Sequence, residues 1–534
     1  MSRTHRGGIT AILVACALGS AALTAIGTPA GAERVGKQPQ RGGSATFGLE
    51  AETTGGFCLP FATIASSGNQ VVNAIYDNLV VRNTKGEYVP YLAKSVIPNA
   101  DSTEWTIALR PDVQFHDGTP FDAAALKINL DTDRGLNSSY PPGLGTFALK
   151  NIASVDVTGP LSVVVTTKVP WIAFAAYLSL PMVAPAQLAD PGTCATNMIG
   201  TGPFALDEWR QNESLTVKRN PAYWRKGFPY LDEIVFRPIT DDQARLNALT
   251  SGELALMTTS ISKTIADLKD EAANGDINLV VSDKGAETAY LLLNNSKAPF
   301  DDLVARRAVA AAADPRQINE IRNQGLNAIA TGPFPPDHPA YVANKNPHHD
   351  LKLAKKLATA YEAEHGQPIS FEYLANPDPE QVAIATLIKE QQAKAGIDVS
   401  IRLADQSAVI QDILAGNFTS VGSRGYPGGD PDTQYFWWHS GSPLNFGRFS
   451  DPEIDRILDE ARSEPDQAKR VKLYQDLNRR FAEQVYNLWS WYSLWAVAYQ
   501  PDVKGVAGPP LPDGGGRQAV LFNGLVPVLG LSRT

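Results

Sequence analysis

Residues 423–440 read SRGYPGGDPDTQYFWWHS, the densest run of chemically capable side chains in the protein. Arg424, Asp430, Asp432 and His439 could hold charge or a metal, and Tyr426, Tyr435, Phe436, Trp437 and Trp438 could stack on a ring. Three glycines and two prolines in the stretch rule out an ordinary helix. Other short patterns invite a chemical reading. Phe115-His116-Asp117-Gly118 pairs an imidazole with a carboxylate, but Asp-Gly makes a bend and Thr119 to Asp122 lead into a helix, so it reads as a capped turn. Gly200-Thr201-Gly202-Pro203-Phe204 resembles part of a phosphate loop without its Gly-Lys-Ser/Thr, and reads as a turn entering a strand. Asn220-Pro221-Ala222-Tyr223-Trp224 reads as a surface turn with its aromatics packed inward. His348-His349 reads as a solvated turn ahead of a helix at Asp350. The sequence holds no G-x-S-x-G, H-E-x-x-H, P-loop or S-x-x-K with companion motifs. A pair of carboxylates for glycoside hydrolysis is compatible with the composition, yet no spacing singles one out.

The elements that would position these residues begin with an export signal. Residues 1–32 carry Arg3 and Arg6, then the apolar run ITAILVACALGSAALTAI, then small residues at Ala30 and Ala32. That layout predicts a signal peptide cleaved near Ala32. Leu13 to Cys16 also resembles a lipoprotein box, but the apolar run continues past Cys16, so a lipid anchor there is the lesser reading. Residues 33–43 are polar and turn-rich, a flexible lead-in. The 534 residues are too many for one core, and 43% hydrophobic with 19% charged content is globular. A net charge of −9 argues against nucleic acid as a partner. After export only Cys58 and Cys194 remain. The compartment permits a disulfide between them, and neither sits in a C-x-x-C motif.

The alternation in SATFGLE and TEWTIALRP predicts strands, the latter with Trp105, Ile107 and Leu109 on one face. VDVTGPLSVVVTT predicts a hairpin. Past about residue 300 helices take over. DDLVARRAVAAAAD ends at Asp314-Pro315, and DLKLAKKLATAYEAE sets Leu353, Leu357 and Tyr361 on one face beside Ala354 and Ala358. FEYLA, a helix ended by Gly396 and IDVSIRLA give strand-helix-strand order, a crossover unit of an α/β domain. Asp451-Pro452 predicts a capped helix with Ile454, Ile457, Leu458 and Ala461 inward. The next helix turns in Val471, Tyr474, Leu477, Phe481 and Val485.

Four ordered blocks carry a resemblance: YDNLVVRNTKGEYVPYLAKS (76–95) running into residues 102–131, then residues 200–253, LNNSKAPFDDLVARRAVAAAADPRQI (293–318), and the helix-rich stretch 350–499. Together they are similar to the extracytoplasmic solute-binding proteins of peptide/nickel-type ABC importers, family 5. The resemblance implies a two-lobed, periplasmic-binding-protein-like α/β fold (type II, large cluster C form) that closes over a ligand by hinge bending. It maps lobe I to 44–285 with a subdomain inserted at about 70–190, lobe II to 286–495, and a return to lobe I at 496–534. It implies a monomer without cofactor, metal or chemistry of its own. Such a protein binds an oligopeptide, a dipeptide or another organic solute and hands it to membrane permease subunits driven by cytoplasmic ATPases. A secreted two-domain hydrolase and a ligand-binding sensor are the alternatives.

The resemblance also points to site residues. Peptide-binding members hold the α-amino group with an acid four residues before a proline like Pro431, and here that place is Pro427. Arg424 would suit a ligand carboxylate or phosphate. Tyr426, Trp437, Trp438, Trp489, Trp491 and Tyr492 are the aromatic candidates. If Trp437 and Trp438 lie in extended chain, only one of them faces the ligand. Thr53, Thr54 and Phe57 are placed at the cleft from the first lobe, and Asp430, His439 and Asn445 complete the set.

Overall fold

The computed structural model describes residues 39–534 apart from 54, 345–347 and 427. The signal peptide with Ala32 and Cys16, most of the lead-in, Thr54 and Pro427 lie outside the described residues. Among those residues an eleven-stranded sheet organises the molecule. Its strands run in the order Asp398–Leu403, Ser370–Ala375, Ser420–Gly425, Asn278–Leu293, Asn487–Tyr499, Leu256–Thr259, Ser44–Leu49, Glu233–Pro238, Ser214–Arg219 and Phe204–Arg210, with Ala328–Ile329 pairing off this path onto Asn487–Tyr499. The two long central strands, Asn278–Leu293 and Asn487–Tyr499, are antiparallel, and their register shifts between Ser282 and Glu287. The strand-helix-strand unit forms as a parallel pair, Ser370 opposite Asp398, joined through helix Pro379–Ala393.

A second sheet orders Ala93–Pro98, Glu104–Leu109, Ser162–Thr167 and Ile152–Gly159, all antiparallel. Trp105, Ile107 and Leu109 point into its own core with Phe121, Leu126 and Trp171. The alternating pattern forces this, since one strand face must leave water.

Helix starts follow local chemistry. The side chains of Asp302, Asp314, Asp350, Asp378, Asp405, Asp451 and Asp466 each accept from a backbone amide of the turn they open. Each satisfies donors that the helix itself cannot, and places negative charge at the positive end of the dipole. In helix Pro452–Ser463 the residues Ile454, Ile457, Leu458 and Ala461 are buried. In helix Leu351–His365 the buried stripe is Ala354, Ala358 and Tyr361, whereas Leu353 is exposed. The small residues let that helix pack closely against Leu303–Ala312, and Leu353 is turned outward. Helix Pro379–Ala393 stops before Gly396, which sits three residues on with φ 78°. Cys58 and Cys194 are bonded, with Cα atoms 5.8 Å apart.

Candidate functional site

A cavity of about 1170 Å³ is lined by the segment after the first strand, by residues 287–292 of one long strand and Asn487, Trp489, Ser490, Trp491 and Ser493 of the other, and by residues 421–426 and 436–438. Its size suits a small organic solute. The register shift next to Glu287 lies at its edge.

One corner is charged. Arg424, in strand Ser420–Gly425, lies 3.8 Å from Glu50 Oε2 and 3.8 Å from Glu287 Oε2. Its guanidinium also donates to the Ser260 hydroxyl and sits over the Trp495 ring at 5.7 Å. The Arg424 side chain is 41% exposed, because it opens into the cavity. Burial opposes its charge, but Glu287 and Glu50 outweigh that and raise its pKa. Glu287 is 8% exposed. Burial pushes its carboxyl up, Arg424 pulls it down, the nearby Glu50 charge pushes it up again, and the Trp495 indole adds a smaller downward pull. Glu287 Oε2 has no well-formed hydrogen bond among the described residues. Glu50 Oε1 accepts from the Ser260 amide at 3.2 Å. Further along, Glu52 and Lys150 also line the cavity, and Glu380 is there paired with Arg322.

The walls are aromatic. Tyr290 and Trp489 meet edge-on with ring centres 5.1 Å apart, and Trp437 meets Phe446 at 5.4 Å. Tyr426 accepts from Arg82 Nη1 at 3.1 Å and packs on Phe522 at 4.4 Å. The lining also includes aliphatic side chains of two helices that pack on opposite faces of the sheet, Ile384 and Ile388 of Pro379–Ala393 and Ile410, Ile413 and Leu414 of Gln406–Ala415.

Of the residues anticipated from sequence, Thr53, Arg424, Tyr426, Trp437, Trp438 and Trp491 line this cavity, as does Trp489. Trp437 and Trp438 are in a short helix, Tyr435–Trp438, not in extended chain, so both reach the lining, with Trp438 also packed on Phe334 and Phe481. Five others are elsewhere. Phe57 is 1% exposed and packs on Trp209, since a wholly apolar ring gains most by leaving water. Asp430 opens the turn Pro431–Gln434 and is held by Arg470, whose Nη1 donates at 2.9 Å. His439 is wedged between Phe147 and Tyr435, and its Nδ1 accepts from the Gly441 amide at 3.1 Å. Asn445 is buried and donates to the Phe449 carbonyl at 2.8 Å. The Tyr492 hydroxyl donates to the Phe334 carbonyl at 2.8 Å.

The two turn motifs meet each other. Nδ1 of His116 accepts from the Gly200 amide at 3.3 Å, and its Nε2 faces the Gly202 carbonyl at 3.1 Å. Burial lowers the His116 pKa, so the imidazole is a neutral clamp. His348 and His349 are exposed ahead of the helix that Asp350 caps. Asp302, Glu364 and His365 bring ligand atoms within 4.8 Å of one another, on the surface and away from the cavity. Sequence reasoning missed Glu50 and Glu287. Glu287 carries the one local signal, an acid set in the apolar strand run AETAYLLL.

The cavity offers aromatic faces and a charged corner. The chain is 28% identical over 439 residues to the glutathione-binding protein GsiB of Salmonella paratyphi A, covering 78% of this chain and 83% of that protein. Among solved structures it is similar to the binding protein AgaA of A. tumefaciens R10 in complex with agropinic acid, with a TM-score of 0.81, 26% identity, and coverage of 92% and 99%. It shares its fold with the ABC transporter-associated periplasmic binding protein DppA from Helicobacter pylori in complex with the peptide STSA, at TM-score 0.80, 23% identity, and coverage of 92% and 98%. Residues 87–447 match the family described as bacterial extracellular solute-binding proteins, family 5, and the chain belongs to that family.

Proposed function

We propose that this protein is the solute receptor of an ABC importer, which captures one organic solute in the 1170 Å³ cavity and presents it to membrane permease subunits. The observation that carries the reading is this cavity, lined jointly by segments on both sides of the two long strands, in a member of a solute-binding family. Lobe I is residues 44–285 and 496–534 with the subdomain at about 70–190, and lobe II is 286–495. The register shift between Ser282 and Glu287 supports a hinge there, because interrupted pairing bends more easily than a continuous ladder. The protein acts as an exported monomer whose signal peptide is residues 1–32. No helix of the described residues is long and apolar enough to cross a membrane.

One relative is named for glutathione and two solved neighbours hold agropinic acid and a peptide, which supports a solute carrying ionisable groups. The test is calorimetric. Purified protein is melted with glutathione, with the peptide Ser-Thr-Ser-Ala and with a fractionated extract of its own culture. A bound solute at a hundred times its Kd adds about 2.7 kcal/mol of stability. The solute must then be recovered chemically unchanged. Conversion to a product would overturn the proposal, as would the absence of any stabilising fraction.

A further inference from the structure

Side chains alternate along a strand, so the two faces of the central sheet line the cavity with different residues. In strand Asn278–Leu293, Tyr290 is opposite Ser423 and Leu292 is opposite Val421, whereas Ala289 is opposite Arg424. On the other side of that strand, Tyr290 is opposite Trp489 and Leu292 is opposite Asn487. Tyr290, Leu292, Val421, Ser423, Asn487 and Trp489 therefore share one face, and Arg424 points to the other. Helix Gln406–Ala415 covers the first face, since its Val409 and Ile413 pack there with Leu292, Val421 and Phe446. Through Phe446 the Trp437 ring joins the same wall. Neither this face of the sheet nor that helix contributes a charged side chain to the lining.

What they contribute is apolar surface that folding leaves open. Tyr290, Ile410, Ile413, Trp437 and Phe446 are only half-buried where they line the cavity, and Leu414 is 45% exposed. Tyr290 meets Trp489 edge-on, and Trp437 meets Phe446 in the same way. Aromatic rings prefer edge-to-face and offset contacts, so a further ring set against these gains that geometry as well as cover from water. A charged group there would lose its hydration without an ionic partner. Two polar atoms complete the wall. Trp489 Nε1 and Asn487 Oδ1 have no hydrogen-bond partner among the described residues, and both side chains are more than nine-tenths buried. One donates, the other accepts, and they lie two positions apart on the same face.

We propose that this pocket takes an uncharged aromatic group of the solute, one with a polar substituent such as a phenol or an aromatic amide. This rests on the reading of the cavity as the solute site. Trp489 Nε1 donates to the substituent and Asn487 Oδ1 accepts from it. A purely aliphatic chain would cover the wall but leave both polar atoms unmet, and an unmet buried donor or acceptor is costly.

The test uses the mature protein and a pool of small molecules made from a peptone digest and a cell extract. After equilibration the protein is isolated by gel filtration, and what it retains is compared with the input by mass spectrometry. Compounds with an uncharged aromatic group are to be enriched. Fragmentation tells a ring borne by a peptide from one on a non-peptide solute, and either meets the inference. Trp489→Phe keeps a ring but removes Nε1, and is to retain these compounds about three- to ten-fold less, as expected for one neutral hydrogen bond. Leu414→Asp sets a charge at the pocket wall from an exposed position, and is to lower retention about ten-fold. Enrichment of compounds without an aromatic ring, or unchanged retention by either variant, would overturn the inference while leaving solute binding intact. Retention of nothing would remove the receptor reading and the inference together. If Trp489→Phe does not fold, Leu414→Asp carries the same expectation and the same refutation.

Discussion

Asp432 and Arg462 form an ion pair inside the protein, Oδ2 to Nη2 at 3.1 Å, with side-chain exposures of 0% and 4%. Trp171 Nε1 donates to the same carboxylate at 2.8 Å, and the Arg462 guanidinium lies 3.5 Å from the centre of the Tyr435 ring. The pair therefore joins the core of the second sheet to helix Pro452–Ser463. Asp432 sits within the glycine- and proline-rich loop of residues 423–440, and its role there is internal support.

Asp432→Ala strands the Arg462 charge in the interior. The variant is to lose about 3–5 kcal/mol of stability, measured by urea unfolding, because the cost of an uncompensated buried ion exceeds that of the lost contact. Replacing both partners with apolar residues of similar volume is to recover much of that loss. A single-variant loss below about 1 kcal/mol would show that water reaches the pair.

The bond between Cys58 and Cys194 closes a segment of 136 residues. Reduction, or Cys58→Ser with Cys194→Ser, is to lower stability by about 2–5 kcal/mol, mainly by freeing the unfolded chain. Melting with and without a phosphine reductant checks it, and an unchanged Tm in the reduced protein would refute it.

Patterns set by local chemistry are legible in the sequence. The alternation of Trp105, Ile107 and Leu109, and the Asp451-Pro452 helix start, depend on neighbours a few residues away. The stripe of helix Leu351–His365 marks where local pattern stops deciding. Periodicity names a face, but the partner helix decides whether Leu353 or Ala354 meets it. The site is half legible. Trp437 and Trp491 announce themselves by composition, while Asp430 and His439 look equally capable and are consumed by Arg470 and by packing. Glu50 and Glu287 are far apart in sequence, and only the sheet brings both to Arg424.

Gly200 tests the reading of the GTGPF turn as a packing device. A Cβ there would lie 2.2 Å from the Ile75 carbonyl oxygen, a backbone atom that cannot step aside cheaply. Its amide also donates to His116. Gly200→Ala is to cost about 1–3 kcal/mol through overpacking, with solute affinity per folded molecule unchanged. Full stability in the variant would show that the turn has room.

Asp77 offers a pH test with a definite sign. It is buried, accepts from Trp224 Nε1 at 2.9 Å and from the Tyr223 hydroxyl at 3.2 Å, and burial raises its pKa from 3.8 to about 7 despite those bonds and the Arg225 charge. Between pH 4 and 7 the folded protein holds a proton there that the unfolded chain has released. Stability must then fall as pH rises through that window, and level off above the folded pKa. The slope for one such group is on the order of 1 kcal/mol per pH unit. Burial raises Asp133 to about 7 as well, so the wild-type curve alone does not isolate Asp77. The difference between wild type and Asp77→Asn does, because Asp133 titrates in both. Urea unfolding at pH 5, 6, 7 and 8 is to show the wild type losing stability relative to the variant up to about pH 7 and no further. A flat difference across that range would mean that Asp77 is ionised throughout, held by its two donors and Arg225 against the cost of burial.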